Sequence, residues 1–135
     1  MKTIIAGSRS CDDIKHIENA IRNSGFNVTE VISGTANGAD KLGEQWATLN
    51  WIPIQRFPAD WEKHGKRAGY IRNDRMANFA DQVIVIWDGR SKGSESMINI
   101  AKRKGLPIYV HNFKPKMIND DNFKGTIRRS VPCVY

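Results

Sequence analysis

Three stretches combine glycine, hydroxyl and cationic side chains as an oxyanion site requires. They are Gly7-Ser8-Arg9-Ser10, Ser33-Gly34-Thr35-Ala36-Asn37-Gly38-Ala39-Asp40, and Asp88-Gly89-Arg90-Ser91-Lys92-Gly93-Ser94. Glycine allows close backbone approach, serine and threonine donate hydroxyl protons, and arginine offers a two-pronged partner to a phosphate. A helix starting just after such a stretch adds free amides and the positive end of its dipole. Each stretch alone is also compatible with ordinary turn chemistry. The second lacks both the Gly-Lys-Ser/Thr of a P-loop and the GxGxxG of a dinucleotide fold, which excludes two familiar phosphate motifs without excluding phosphate. Its Asp40 reads first as a stabilising carboxylate at a helix start, and otherwise as a holder of a ribose hydroxyl or a loop amide. The third stretch, with two glycines, two hydroxyls and two cations, is the strongest local signal.

A fourth segment, Pro58 to Gly69, shows no clear period and reads as a loop over the sheet edge, of a length that often carries function. In it, Asp60 could accept from a ribose hydroxyl or act on water, and His64 could titrate near neutral pH. The alternative for His64 is capping a turn. Trp61 could stack on a base, although anchoring the loop to the core is the favoured reading.

The elements that position these loops follow from the apolar pattern. Lys2 to Ala6 reads as a buried strand stopped by Gly7. Ile14, Ile17, Ala20 and Ile21 recur at helical spacing after Asp12 and Asp13 and before Gly25. Val28 to Ile32 reads as a second strand, and Ala39, Leu42, Trp46 and Leu49 as the buried stripe of a second helix. Ile52 to Phe57 supplies a third strand, Tyr70 to Ala80 a helix through Ile71, Met76 and Phe79, and Gln82 to Trp87 a strand buried on both faces. A helix with Met97, Ile98 and Ala101 inward and a strand from Pro107 to Val110 complete the pattern. The fold class expected is α/β: a single Rossmann-like domain, mainly a parallel sheet of about five strands with helices on both faces. Ligands of such sheets bind at the carboxyl ends of the strands, so the three glycine loops should lie near one another. The domain is expected to span residues 1–111, with 112–135 a basic tail packed on it.

Composition limits the alternatives. With 135 residues, 40% hydrophobic and 26% charged, the chain suits one ordinary globular domain. No run approaches the ~18 apolar residues of a membrane span, and Ile4-Ile5-Ala6 is too short for a signal peptide, so no membrane partner is expected. Cys11 and Cys133 lie near opposite ends without metal-ligand spacing. They argue for neither zinc nor a disulfide framework and suit a reducing cytoplasm, and no metal or other cofactor is expected. The formal charge of +7 is dispersed, much of it at Lys102, Arg103, Lys104, Lys114, Lys116, Lys124, Arg128 and Arg129. A solvated surface accounts for it more readily than a polyanion.

Taken in order, GSR, SGTANGAD, FPADWEKHGKRAGYIRNDRM and WDGRSKGSESMI resemble the YspA-like branch of the SLOG superfamily, over about residues 3 to 111. That superfamily also holds the DNA-processing protein DprA and the Lonely Guy phosphoribohydrolases. The resemblance implies a Rossmann-like domain that binds nucleotides or their derivatives, and some members cleave the N-glycosidic bond of nucleoside monophosphates. It implies that Arg72 is the counterpart of the phosphoribohydrolases' helix arginine, with Asn73 beside it at the phosphate loops, although the flanking residues differ. Gly93-Ser94 matches the Gly-Thr of their PGGxGTxxE motif. The catalytic glutamate does not carry over: its position holds Met97, and Glu95, two residues earlier, is rotated by ~200° on a helix. Asp60, Glu62 or Asp88 are the other carboxylates that could serve.

The function expected is binding of a nucleotide or nucleotide derivative by a sensor or sequestering protein. Its nucleotide- and phosphate-binding residues would be Gly7, Ser8, Arg9, Ser33, Gly34, Thr35, Gly38, Asp40, Trp61, Arg72, Asn73, Asp88, Gly89, Ser91, Gly93 and Ser94. The alternative is a nucleotide N-glycosidase using Asp60, His64 or Asp88; DprA-like DNA binding ranks third. Related domains commonly dimerise, so a homo-oligomer is also expected.

Overall fold

A computed structural model describes residues 1–115; the basic tail, Cys133 included, lies almost wholly outside the described residues. The chain alternates strand and helix: β1 (Lys2–Gly7), α1 (Ile14–Ser24), β2 (Glu30–Ser33), α2 (Ala39–Leu49) and β3 (Ile54–Arg56). There follow α3 (Trp61–His64), a 3-10 turn (Gly65–Arg67), α4 (Ala68–Phe79), β4 (Gln82–Trp87), α5 (Lys92–Arg103) and β5 (Ile108–Asn112). The strands form one five-stranded sheet in the order β3-β2-β1-β4-β5, and every neighbouring pair is parallel. This is the expected Rossmann-like α/β arrangement.

Two apolar layers cover the sheet. On one face Ile4, Ile32, Val83 and Val85 meet Met76 and Ala77 of α4 and Met97, Ile100 and Ala101 of α5. On the other, Ile5, Val31, Ile84 and Ile86 meet Ile17 and Ala20 of α1 and Ala39 and Ala47 of α2. Strand residues alternate between the layers, as a pleat buried on both sides requires. β1 and β4 lie centrally, and Gln82 at the start of β4 is satisfied by donating from Nε2 to Thr3 Oγ1 at 2.7 Å. The connection from β3 to β4 crosses from one side of β1 to the other. The loops after β1 and β4 therefore diverge at the point where the strand order reverses, which is where such sheets hold ligands.

Several boundaries differ from the sequence reading. The segment 58–69 is not a plain loop. It contains α3, capped by the Asp60 carboxylate, which accepts from Lys63 N at 3.1 Å. The 3-10 turn carries straight into α4, which begins two residues earlier than the pattern suggests, at Ala68. β2 and β3 are shifted or shorter, and β5 continues through His111 and Asn112, followed by the buried Phe113. Finally, α2 packs Leu42 and Trp46 partly buried against the core as expected but leaves Leu49 64% exposed; its fully buried residues are Ala39, Asp40, Gly43, Glu44 and Ala47. These side chains are small or paired. Gly43 lets the helix lie against β1, since a Cβ there would stand 2.8 Å from Ile5 Cγ2.

Candidate functional site

The three glycine loops meet at the carboxyl edge of the sheet, and buried Ser8 ties them together. Its amide donates to Ile86 O of β4 at 2.8 Å, and its carbonyl accepts from Ala39 N of α2 at 3.2 Å. Its hydroxyl accepts from Asp88 N at 3.0 Å and lies 3.5 Å from Ser94 Oγ of α5. Such crossings need glycine on either side. A Cβ on Gly7 would overlap the Ile86 carbonyl oxygen and stand 2.8 Å from Ala39 Cβ. Gly38 has φ +82°, and a Cβ there would overlap Ser8 O and stand 2.5 Å from Arg9 Cα.

The loop after β2 is held from beneath by two acids of α2. Asp40 Oδ2 accepts from Ala36 N at 3.1 Å, and Glu44 accepts from Ser33 Oγ at 2.6 Å and from Arg56 Nε at 3.1 Å. Ser33 Oγ in turn accepts from Thr35 N at 3.0 Å. Thr35 has φ +66°, a left-handed conformation that is uncommon for a β-branched residue and accompanies local strain. Asp40 is only 4% exposed, and burial pushes its carboxyl up to about 6 against the opposing pull of the Ala36 amide, Arg72 and the Gly7 amide. Asp40 thus holds a loop amide, the second of its sequence readings.

Arg72, in the first turns of α4, closes this loop by donating from Nη1 to Gly34 O. Its Nε donates to Asn73 Oδ1 at 2.9 Å, and Asn73 Nδ2 reaches Gly93 O at 3.4 Å. Arg72 and Asn73 therefore link the loop after β2 to the start of α5. Burial pulls the Arg72 guanidinium below its usual range; the Asp40 charge opposes this and the neighbouring Arg9 cation adds to it. Two guanidiniums thus stand near one another, with Asp40 as the acid beside Arg72.

The loop after β4 is organised by Asp88. Its Oδ1 accepts from Arg90 N at 2.8 Å and Ser91 N at 2.9 Å, and its Oδ2 from Ser10 Oγ at 2.9 Å. Desolvation pushes this carboxyl up, but the two amides and the Ser10 and Ser8 hydroxyls outweigh it and hold it below the ordinary range. Ser91 caps α5, its Oγ accepting from Ser94 N at 3.3 Å and from Ser94 Oγ at 3.1 Å. Gly89, at φ +85°, makes the turn, and Gly93 faces open space at the helix start.

The structure therefore brings together Gly7, Ser8, Arg9, Ser33, Gly34, Thr35, Gly38, Asp40, Arg72, Asn73, Asp88, Gly89, Ser91, Gly93 and Ser94. Asp60 is engaged as the cap of α3, apart from this network. His64 is half-buried and its side chain makes no capping hydrogen bond, so turn capping is not its role. Trp61 is 54% exposed, so it does not anchor its segment to the core. Met97 is fully buried among core residues on α5, so a glutamate at that position would point into the apolar layer. Sequence reasoning missed Glu44; the available signal was its spacing of four from Asp40, on the face shared with Ala39, Gly43 and Ala47. Among the described residues no group of three or more His, Cys, Asp or Glu side chains gathers as metal ligands, and no helix is long and apolar enough to cross a membrane.

A parallel five-stranded sheet with glycine loops converging at its switch point defines a Rossmann-like protein. The family model described as the YspA, cpYpsA-related SLOG family matches residues 1–64. The Gene 61 protein of Mycobacterium phage D29 is 31% identical over 125 residues, an alignment covering 84% of this chain and 98% of that protein. The chain belongs to this SLOG family. Membership supports, at a coarse level, a role in nucleotide-related ligand binding or sensing.

Proposed function

We propose that this protein binds the phosphate of a nucleotide or nucleotide derivative in the cradle made by its three glycine loops, as a sensor or sequestering protein. The observation that carries the reading is the convergence of these loops at the switch point beside Arg72 and Arg9. A phosphate there meets the helix start at Gly93, which is open to close approach, and two guanidiniums.

Binding is favoured over cleavage because Asp88, Asp60 and Asp40 are already engaged, and Glu62, the remaining carboxylate named for that role, is exposed on α3. Asp88 accepts three hydrogen bonds, Asp60 caps α3, Asp40 is buried beneath its loop, and the position of the family glutamate is Met97 in the core. A general base or an oxocarbenium-stabilising group needs a carboxylate within reach of the ribosyl carbon or the attacking water. The test is calorimetry with adenosine 5′-monophosphate, guanosine 5′-monophosphate, adenosine and inorganic phosphate, followed by chromatography of each mixture. Saturable binding of the monophosphates, weaker binding of adenosine and no free base is the expected result. Release of adenine or guanine would establish the glycosidase reading instead, and equal affinity for adenosine and its monophosphate would refute the phosphate cradle.

A further inference from the structure

Trp61 is a large aromatic side chain that the core leaves out. It is fixed at the first position of α3, where the Asp60 cap precedes it and its carbonyl accepts from Gly65 N. Even so it is 54% exposed, and among the described residues its indole has no hydrogen bond, ring partner or cation partner. A tryptophan exposed over about half of its surface leaves apolar area for something else to cover.

Its position is specific. The point above Gly69 where a Cβ would project lies 3.6 Å from Trp61 Cη2 and 3.8 Å from Arg72 Nη2. The edge of the indole and the guanidinium therefore flank one spot, and glycine at 69 leaves that spot free of a side chain. Arg72 is the same residue that reaches Gly34 O in the loop after β2. Moving outward from the loops, the order is Gly34, Arg72, Trp61: a carbonyl, a cation, then a bare aromatic ring. A nucleotide carries its parts in the matching order, with an anionic phosphate joined through a ribose to a planar base.

We infer that Trp61 is the stacking platform for the base of the ligand, so the ligand class is a nucleotide that retains its planar heterocycle. This rests on the phosphate-cradle reading above. Every base presents a π face, so such a platform tolerates different bases while rejecting a sugar phosphate that has none. A ribose 5-phosphate left after base removal would bind through the cradle alone and leave readily.

The test compares the wild-type protein with Trp61→Ala and Trp61→Phe by calorimetry against adenosine 5′-monophosphate and ribose 5-phosphate, with thermal melting of each variant. Trp61 is exposed, so both variants should melt close to the wild type. Base stacking on an aromatic side chain corresponds to about a 5- to 150-fold loss on truncation to alanine. That loss is expected for adenosine 5′-monophosphate in Trp61→Ala. Ribose 5-phosphate should bind both proteins alike, and Trp61→Phe should retain most of the nucleotide affinity. Equal wild-type affinity for the two ligands would overturn the inference while leaving the phosphate cradle standing. An equal loss for both ligands in Trp61→Ala would also overturn it, because the indole would then be serving Arg72 rather than a base. Binding of neither ligand by the wild type would overturn the cradle and the platform together.

Discussion

Replacing Asp40 with asparagine removes a buried charge while keeping the shape of the side chain. The Asp40 carboxyl sits at about 6 in the folded protein, against an ordinary value of 3.8, because burial outweighs the Ala36 amide and Arg72. At about 1.4 kcal/mol per pKa unit, this corresponds to about 3 kcal/mol. The folded state holds this proton more tightly than the unfolded chain does. Asp40 is therefore best tolerated below about pH 4, and that stability is lost as the pH rises through about 6. His16 and His111 act in the opposite sense: burial lowers both, so their contribution is lost as the pH falls through the histidine range. The wild-type curve alone mixes these effects, but the histidines cancel in a difference between wild type and Asp40→Asn. Urea unfolding followed by circular dichroism across about pH 4 to 8 should show the wild type losing about 3 kcal/mol relative to the variant between about pH 4 and 7. The offset from the altered Ala36 hydrogen bond should not vary with pH. A difference that stays flat, or that favours the wild type as pH rises, would refute the reasoning; the second outcome would mean that Arg72 holds Asp40 ionised.

Three further substitutions probe the loops. Gly38→Ala combines a backbone conformation that L residues rarely adopt with overlap onto Ser8 O and the Arg9 backbone, none of which can rotate away. It should cost about 3 kcal/mol or more in urea unfolding, and a loss below about 1 kcal/mol would show that the loops can separate. Ser8→Ala leaves the Asp88 amide without its acceptor and should cost about 1 to 3 kcal/mol, against less than about 1 for Ser10→Ala on the exposed side of the same loop. Gly93→Ala meets no atom within 4 Å and should raise the unfolding free energy by up to about 1 kcal/mol of helix propensity. Its calorimetric affinity for adenosine 5′-monophosphate should nonetheless fall about tenfold or more, because the added methyl occupies the approach to the α5 amides. Unchanged affinity would place the phosphate away from α5.

The parts of the fold that were legible in sequence are those written in local patterns. β4 reads as a buried strand because Val83 to Ile86 leaves no polar face, and the glycine loops read as neighbours because parallel strands put their carboxyl ends on one edge. The face of α2 was legible only in part, through Ala39, Leu42 and Trp46, because only apolar residues were counted. Asp40 and Glu44 point inward because Ala36, Ser33 and Arg56, remote in pattern though not all in sequence, satisfy them. No helical period reports such partners. Trp61 was misassigned for a related reason. Size and hydrophobicity favour burial, but the Asp60 cap and the Gly65 turn hold α3 with its indole outside the layer that α4 and α5 fill. Ser8 was legible as a loop hydroxyl, but its role as the knot among three loops depends on contacts from 31 to 86 residues away, with Ala39, Ile86, Asp88 and Ser94.

With phosphate held in the cradle as proposed, the placement of Asp40 makes ligand binding and protonation one equilibrium. With Asp40 ionised, it offsets one of the two neighbouring guanidiniums; with Asp40 neutral, Arg9 and Arg72 both face the ligand uncompensated. A phosphate dianion in the cradle therefore favours the neutral form and lifts the Asp40 carboxyl further, so that binding near pH 7 should draw a proton from the buffer. Calorimetric titration with adenosine 5′-monophosphate in two buffers of different ionisation enthalpy measures that proton directly. The ligand phosphate has its own ionisation near pH 6 and can move protons in the opposite direction. Asp40→Asn separates the two, because it retains the ligand's contribution and removes the carboxyl's. The wild type should take up more protons than the variant at about pH 7, and the gap should close below about pH 5, where Asp40 is already protonated. Identical proton uptake in the two proteins, with binding intact in both, would mean that the phosphate does not sit where Asp40 and Arg72 share a field.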